Sequence, residues 1–259
     1  MLFCTACDGP PVEWAEPHVA SAPGLADALS LTVDSAGGVH LESLAPLPAP
    51  SPAGACPGTV TVARASGSRR FAAWWSQRAD GGATLVASRS DDAGSTWAAP
   101  VRVDTADAGG TGCARPAPAM VVQGDVVYLA YPMRASEGPG VFFAHSMDAG
   151  AMYHWPVAVV YGARPGRVAI AAEGDRVAIA YDDPNSATPR VALALSRTQG
   201  HIFEERMTAS TDVGAADDPR IVLRGDVIAV AWRQNTRSTE RDAAAASVAA
   251  WWVRSGRLH

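Results

Sequence analysis

The sequence predicts an all-β chain whose short strands recur as similar units and close into a ring, and three observations carry that prediction. First, four segments share one pattern: an apolar run, a short glycine turn, then a second apolar run ending in alanine and an aromatic. They are residues 59–74 around Gly67, 117–131 around Gly124, 167–181 around Gly174 and 221–232 around Gly225. The last three turns lie 50 and 51 residues apart, and the first precedes the second by 57. Second, each of the first three segments is followed by another strand-like run (83–89, 141–145 and 191–195) and a Ser/Gly turn. Third, the two ends of the chain complement each other. Repeats of this length that hold four short strands are the signature of β-propeller blades.

Taken in order, Glu13-Trp14-Ala15-Glu16-Pro17-His18-Val19 mirrors Thr96-Trp97-Ala98-Ala99-Pro100-Val101-Arg102, the strand leaving the first Ser/Gly turn. The last repeat runs through 248–255 and lacks its fourth strand, so the N-terminal segment is expected to supply it. That arrangement leaves no loose edge. Residues 29–34 and 39–44 form one further two-strand unit. The Pro-rich stretch 45–58 then interrupts the pattern, because proline has no N–H to give a sheet. Four full repeats and one abbreviated unit make about five blades, with six as the alternative if short strands lie within 45–58. Residues 13–259 are expected to form a single propeller domain behind a tail at 1–12.

Ser90-Asp91-Asp92-Ala93-Gly94-Ser95-Thr96-Trp97 fits S-x-D-x-G-x-T-W at every specified position. Gly tolerates positive φ, Asp bonds nearby backbone N–H groups, and Trp covers the outgoing strand. Degenerate forms follow at Ser146-Met147-Asp148-Ala149-Gly150, with Trp155 read as its aromatic, and at Ser196-Arg197-Thr198-Gln199-Gly200, with Phe203. The pattern resembles the Asp-box of the sialidase-like (BNR-repeat) β-propellers. The resemblance implies a turn between the third and fourth strands of a blade, a folding device that does no chemistry.

Composition narrows the classes. The chain has 259 residues, 48% hydrophobic and 18% charged, as expected for a globular protein with a substantial core. A net charge of −5 and the lack of a basic run argue against nucleic acid as a partner. No stretch approaches the roughly twenty apolar residues of a membrane span. All 21 basic residues are Arg.

Cys4 and Cys7 make a C-x-x-C pair, open to three readings: a lipoprotein-signal remnant with a lipid anchor at Cys7, plain thiols, or a redox or metal site. Cys56 and Cys113 each sit just ahead of an innermost strand in adjacent repeats. A disulfide is one reading for an exported protein, and two buried thiols the other.

Ligands of propellers usually meet the face where the first strands enter. Arg115 and Arg164, each in an Ala-Arg-Pro triplet, occupy nearly equivalent leading loops there, and Arg220 lies in the next. Three converging guanidinium groups suit a carboxylate, and the resemblance implies such a triad; ion pairs with Asp217, Asp218 or Asp182 are the structural alternative. Tyr131 and Tyr181, with Trp74 and Trp232, recur at one repeat position, either as a sugar-stacking surface or as packing between blades. Asp182 follows Tyr181 on the same face and could act as an acid or bind a cation. His145, Met147, Met152 and His154 crowd one hairpin, and strand alternation puts His145 and Met147 on one face, which would suit copper, but at the rim. Catalysis of the family's kind would need a Tyr–Glu pair, a separate Asp and an Arg-Ile-Pro motif, and the last is absent from this chain. The residues therefore point to a periplasmic or cell-surface binding or scaffolding propeller with a protein or glycan ligand and no cofactor. An exo-glycosidase of sialidase type and a metal-handling protein are the alternatives.

Overall fold

The computed structural model describes residues 10–20, 29–108, 112–203, 205–236 and 248–259. The readings attached to Cys4, Cys7 and most of the 1–12 tail lie outside them. In chain order the strands are β1 (Val12–Trp14), β2 (His18–Val19), β3 (Leu29–Val33), β4 (Val39–Ser43), β5 (Thr61–Arg64), β6 (Arg70–Gln77), β7 (Ala83–Ser90), β8 (Val101–Asp104), β9 (Ala119–Gln123) and β10 (Val126–Ala135). They continue as β11 (Gly138–Ser146), β12 (Val157–Tyr161), β13 (Val168–Glu173), β14 (Arg176–Asp182), β15 (Val191–Ser196), β16 (Glu205–Thr208), β17 (Ala215–Arg224), β18 (Val227–Thr236) and β19 (Val248–Leu258).

Three antiparallel sheets each take four consecutive strands, β5–β8, β9–β12 and β13–β16. A fourth, of five strands, has the order β1-β19-β18-β17 with β2 also paired to β19, and β3 and β4 form a two-stranded sheet. The N-terminal strand thus completes the last sheet: Val12 pairs with Leu258 and Trp14 with Gly256. The Pro-rich stretch adds only an isolated bridge, Ala55 to Ser76.

Alternation along β6, β10, β14 and β18 buries both faces, because each sheet is covered by a neighbour on either side. The core is accordingly a series of layers between sheets. Trp75, Leu85, Tyr131 and Phe142 fill the layer between β5–β8 and β9–β12. Tyr128, Phe143, Ile179 and Tyr181 fill the next, and Leu193, Leu195, Trp232 and Ile228 the one after. Trp251 and Ala231 pack on Leu29 and Leu31 of the two-stranded sheet. The recurring Trp74, Tyr131, Tyr181 and Trp232 are all buried. Each faces back toward the sheet or segment before it, which is the packing alternative and not a stacking surface.

The three Asp-box turns join the third strand to the fourth and have one geometry. In the first, Ser90 Oγ accepts from the Gly94 N–H at 2.9 Å, and Asp92 accepts from the Thr96 N–H at 2.8 Å and the Thr96 hydroxyl at 2.6 Å. In the second, the Gly150 N–H reaches Ser146 Oγ at 2.9 Å and the Met152 N–H reaches Asp148 at 2.9 Å. In the third, Thr198 Oγ1 replaces the carboxylate and accepts from the Ile202 N–H at 3.1 Å. Each turn places two successive residues at positive φ, as in Gln199 at 55° and Gly200 at 85°. One expectation is corrected. The aromatic of the second turn is Tyr153, seven residues after Ser146 and packed into the layer, whereas Trp155 points outward with 92% of its surface exposed. Spacing, not residue type, decides which ring covers the turn.

Candidate functional site

The innermost strands β3, β5, β9, β13 and β17 surround a cavity of about 730 Å³, at the end where most of these strands begin. Arg115, Arg167, Arg220 and Asp218 are among the residues that line it. Its position follows from the repeat. The residues seven places ahead of the turn glycines, Val60, Ala117, Arg167 and Asp218, all reach it. That offset is the signal by which Arg167 and Asp218 were legible as site residues and were missed.

The three expected arginines do not converge as free groups. Arg115 is turned between sheets, where it pairs with Asp107 at 3.1 Å; the two side chains are 6% and 2% exposed. Its guanidinium also lies 5.0 Å from the centre of the Trp75 ring and donates to the Gly112 carbonyl. The loop that carries it is tied by a disulfide between Cys56 and Cys113. Arg220 pairs with Asp218 at 2.7 Å and donates to the Leu29 carbonyl at 3.0 Å. Arg164 does not line the cavity; it donates to the Ser186 carbonyl at 3.2 Å. Arg167, 52% exposed, has an open flank on the cavity wall, since its contact to Asp218 is a loose 3.6 Å.

Asp182 closes β14 behind this cluster. Its Oδ2 accepts from the Arg167 N–H at 2.8 Å and its Oδ1 from the Asp218 N–H at 3.0 Å. Burial pushes its pKa up to about 6, against those two donors, which favour the ionised form. Asp218 itself holds φ at 61°, uncommon outside glycine, within the register shift between Asp217 and Arg220. One carboxylate therefore fixes the backbone of two neighbouring leading loops. Asp217 meanwhile pairs with Arg233 at 3.0 Å.

Tyr131 and Tyr181 lie away from the cavity wall. Tyr131 is wholly buried and donates to Asp104 Oδ2 at 2.6 Å; burial raises the pKa of both partners. Tyr181 is buried in the next layer, and burial pushes its pKa up to about 12. Both are corrections: strand alternation turned their rings into the sheet-to-sheet packing. Among the described residues, none of the hydrogen bonds joins a Tyr hydroxyl to a Glu.

The His/Met hairpin also departs from expectation. Met147 lies beyond the end of β11 and is exposed, while His145 is buried, so the two do not share a strand face. His145 instead stacks on His154 with centroids 4.5 Å apart and meets His201 edge-on at 4.9 Å. Burial, with both imidazoles beside it, holds its pKa down to about 4. Among the described residues, no three His, Cys, Asp or Glu side chains are grouped to hold a metal ion. No helix is long and apolar enough to cross a membrane.

No family model matches the sequence, and no curated protein matches it. Solved structures do resemble the fold. A Hadza microbial sialidase, Hz136, superposes with a TM-score of 0.51 at 15% identity, over 78% of this chain and 46% of that one. The phage phi92 endosialidase gives 0.54 at 10% identity, over 86% and 39%. The fold is a sialidase-like β-propeller. At these identities the likeness extends to the backbone plan alone, and the chain spans less than half the length of either structure.

Proposed function

We propose that this propeller is an extracytoplasmic binding protein that holds a small carboxylate-bearing ligand in its central cavity without cleaving it. The observation that carries the reading is Arg167, half-exposed on the cavity wall and only loosely paired, among arginines already engaged by Asp107 and Asp218. A ligand carboxylate can take two parallel hydrogen bonds from such a guanidinium. The disulfide between Cys56 and Cys113 supports an oxidising compartment. Against cleavage, both oxygens of Asp182 already accept backbone N–H groups, so its proton is poorly placed for a leaving group.

Calorimetric titration with sialyllactose, a uronic-acid oligosaccharide and lactose tests this. The acidic ligands should bind, lactose should not occupy the cavity, and Arg167→Ala should weaken acid binding about tenfold or more. Acid binding that is indifferent to Arg167 would refute the reading. A second reading, an exo-glycosidase, is favoured by one observation: a half-buried carboxyl raised to about 6, that of Asp182, stands behind the cavity, bonded to the backbone of Arg167 and Asp218. Hydrolysis of a fluorogenic sialoside by the parent, lost in Asp182→Asn, would establish it in place of the first.

A further inference from the structure

The central cavity offers a ligand more than a cation. Arg167 and Asp218 stand side by side on its wall, Nη1 to Oδ2, at a loose 3.6 Å. Nε and Nη2 of Arg167 meet no hydrogen-bond or ion-pair partner among the described residues, so one edge of its guanidinium fork is open. Asp218 gives its Oδ1 to Arg220 at 2.7 Å, and among the described residues its Oδ2 has the long contact alone. Both residues are held from behind, because Asp182 accepts the backbone N–H of each, at 2.8 and 3.0 Å. The fold therefore sets their spacing before any ligand arrives.

The charges of the wall also cancel. Arg115, Arg167 and Arg220 are its cations, and Asp107, Asp182 and Asp218 are the carboxylates bonded to them or to their backbone. Among the described residues the sum is zero once Asp182, which burial pushes up to about 6, has ionised. Asp217 and Arg233 cancel separately. A simple acid would leave one negative charge unbalanced in a partly buried site, which is costly. A ligand that brings a positive charge together with its carboxylate leaves the sum at zero.

We infer that the cavity selects a zwitterion, an α-amino acid with an apolar side chain. Its carboxylate takes the open edge of Arg167 and its ammonium donates to Asp218 Oδ2. Both groups of such a ligand sit on one carbon, which matches two protein groups 3.6 Å apart. Val60, Met120, Val168 and Ile221 also line the cavity, partly open, and suit the apolar remainder. A sugar acid satisfies Arg167 equally but offers Asp218 only a hydroxyl. The inference rests on the carboxylate reading above and narrows it.

Calorimetric titration of the full chain at about pH 7.5, where Asp182 is ionised, tests it with L-leucine, 4-methylpentanoate and 3-methylbutylamine. The last two are leucine without its ammonium and without its carboxylate. Leucine should bind about tenfold tighter than 4-methylpentanoate, and the amine more weakly than either. Asp218→Asn keeps the backbone N–H that Asp182 accepts and suits the positive φ of 61°. It should bring leucine down to the affinity of 4-methylpentanoate, whereas Arg167→Ala should weaken both. Equal affinity for leucine and 4-methylpentanoate, or leucine binding unchanged in Asp218→Asn, would overturn the zwitterion and leave the carboxylate reading standing. Failure of leucine to bind overturns it too, and dependence of sialyllactose binding on Arg167 then decides the carboxylate reading separately. The three-ligand comparison on the parent needs no variant, so it decides the matter even if Asp218→Asn fails to fold.

Discussion

Replacing Gly200 by alanine isolates what the Asp-box turn does for the fold. Gly200 holds φ at +85°, and a Cβ there would fall 2.2 Å from Cζ and 2.3 Å from Cε1 of Phe143, in the preceding sheet. Phe143 cannot swing aside: it is fully buried, meets Phe203 edge-on at 5.3 Å and stacks beside His145 at 5.7 Å. The left-handed backbone costs an L-residue about 1 kcal/mol. Forcing an extra methyl into a close-packed layer costs about 2 kcal/mol more. A loss of about 3 kcal/mol corresponds to a fall in Tm of roughly 6–12 °C for a domain of this size. Gly174, in the β13–β14 turn, is the control, with φ at +59° and nothing within 4 Å of its would-be Cβ. Gly174→Ala should cost only the backbone share, about 1 kcal/mol and roughly 2–4 °C. Thermal melts followed by near-ultraviolet circular dichroism compare the two. If Gly200→Ala melts no lower than Gly174→Ala, the turn is not seated against the neighbouring sheet as described.

Two further perturbations test the electrostatics and the covalent tie. Burial raises Asp182 from 3.8 to about 6, so between those values the folded chain keeps a proton that the unfolded chain has lost, and stability falls as pH rises. Burial lowers His145 from 6.5 to about 4, which reverses the sign across that window. Asp182→Asn should therefore tilt the profile of urea midpoints upward between pH 4 and 6, and His145→Gln should tilt it downward; a profile parallel to the parent's rules out that group. The double change Cys56→Ser with Cys113→Ser opens a loop closed over a separation of 57 residues and should cost about 2–4 kcal/mol. Reductant should bring the parent to the same stability, and a parent indifferent to reductant would contradict the bond.

What could be read in advance was whatever repeats locally. The glycine turns mark the strands because a two-residue reversal demands positive φ, and the Ser–Gly spacing of the boxes survives even where Thr198 stands in for Asp. The pairing of β1 with β19 was legible because Glu13–Val19 carries the same Trp-x-x-Pro signature as an outgoing strand. Three-dimensional choices were not. Arg115 reads as an open cavity residue, yet Asp107, held beside it by the bridge to Ala135, engages its guanidinium, so that it reaches the cavity wall as a buried, paired group. Trp155 reads as the turn's cover because tryptophan outranks tyrosine in expectation, although Tyr153 holds the position.

The strand that seals the last sheet has a temporal consequence. β1 precedes every other strand in the chain and β19 follows them all, so the five-stranded sheet that contains both is finished only once residues 248–258 are available. Until then β18 has one flank bare and β1 has no neighbour, while the β5–β8, β9–β12 and β13–β16 sheets can each form from nearby chain. The propeller should therefore gain its final rigidity in one late step, and a cut just after residue 14 would leave three sheets whole while unlatching the fourth.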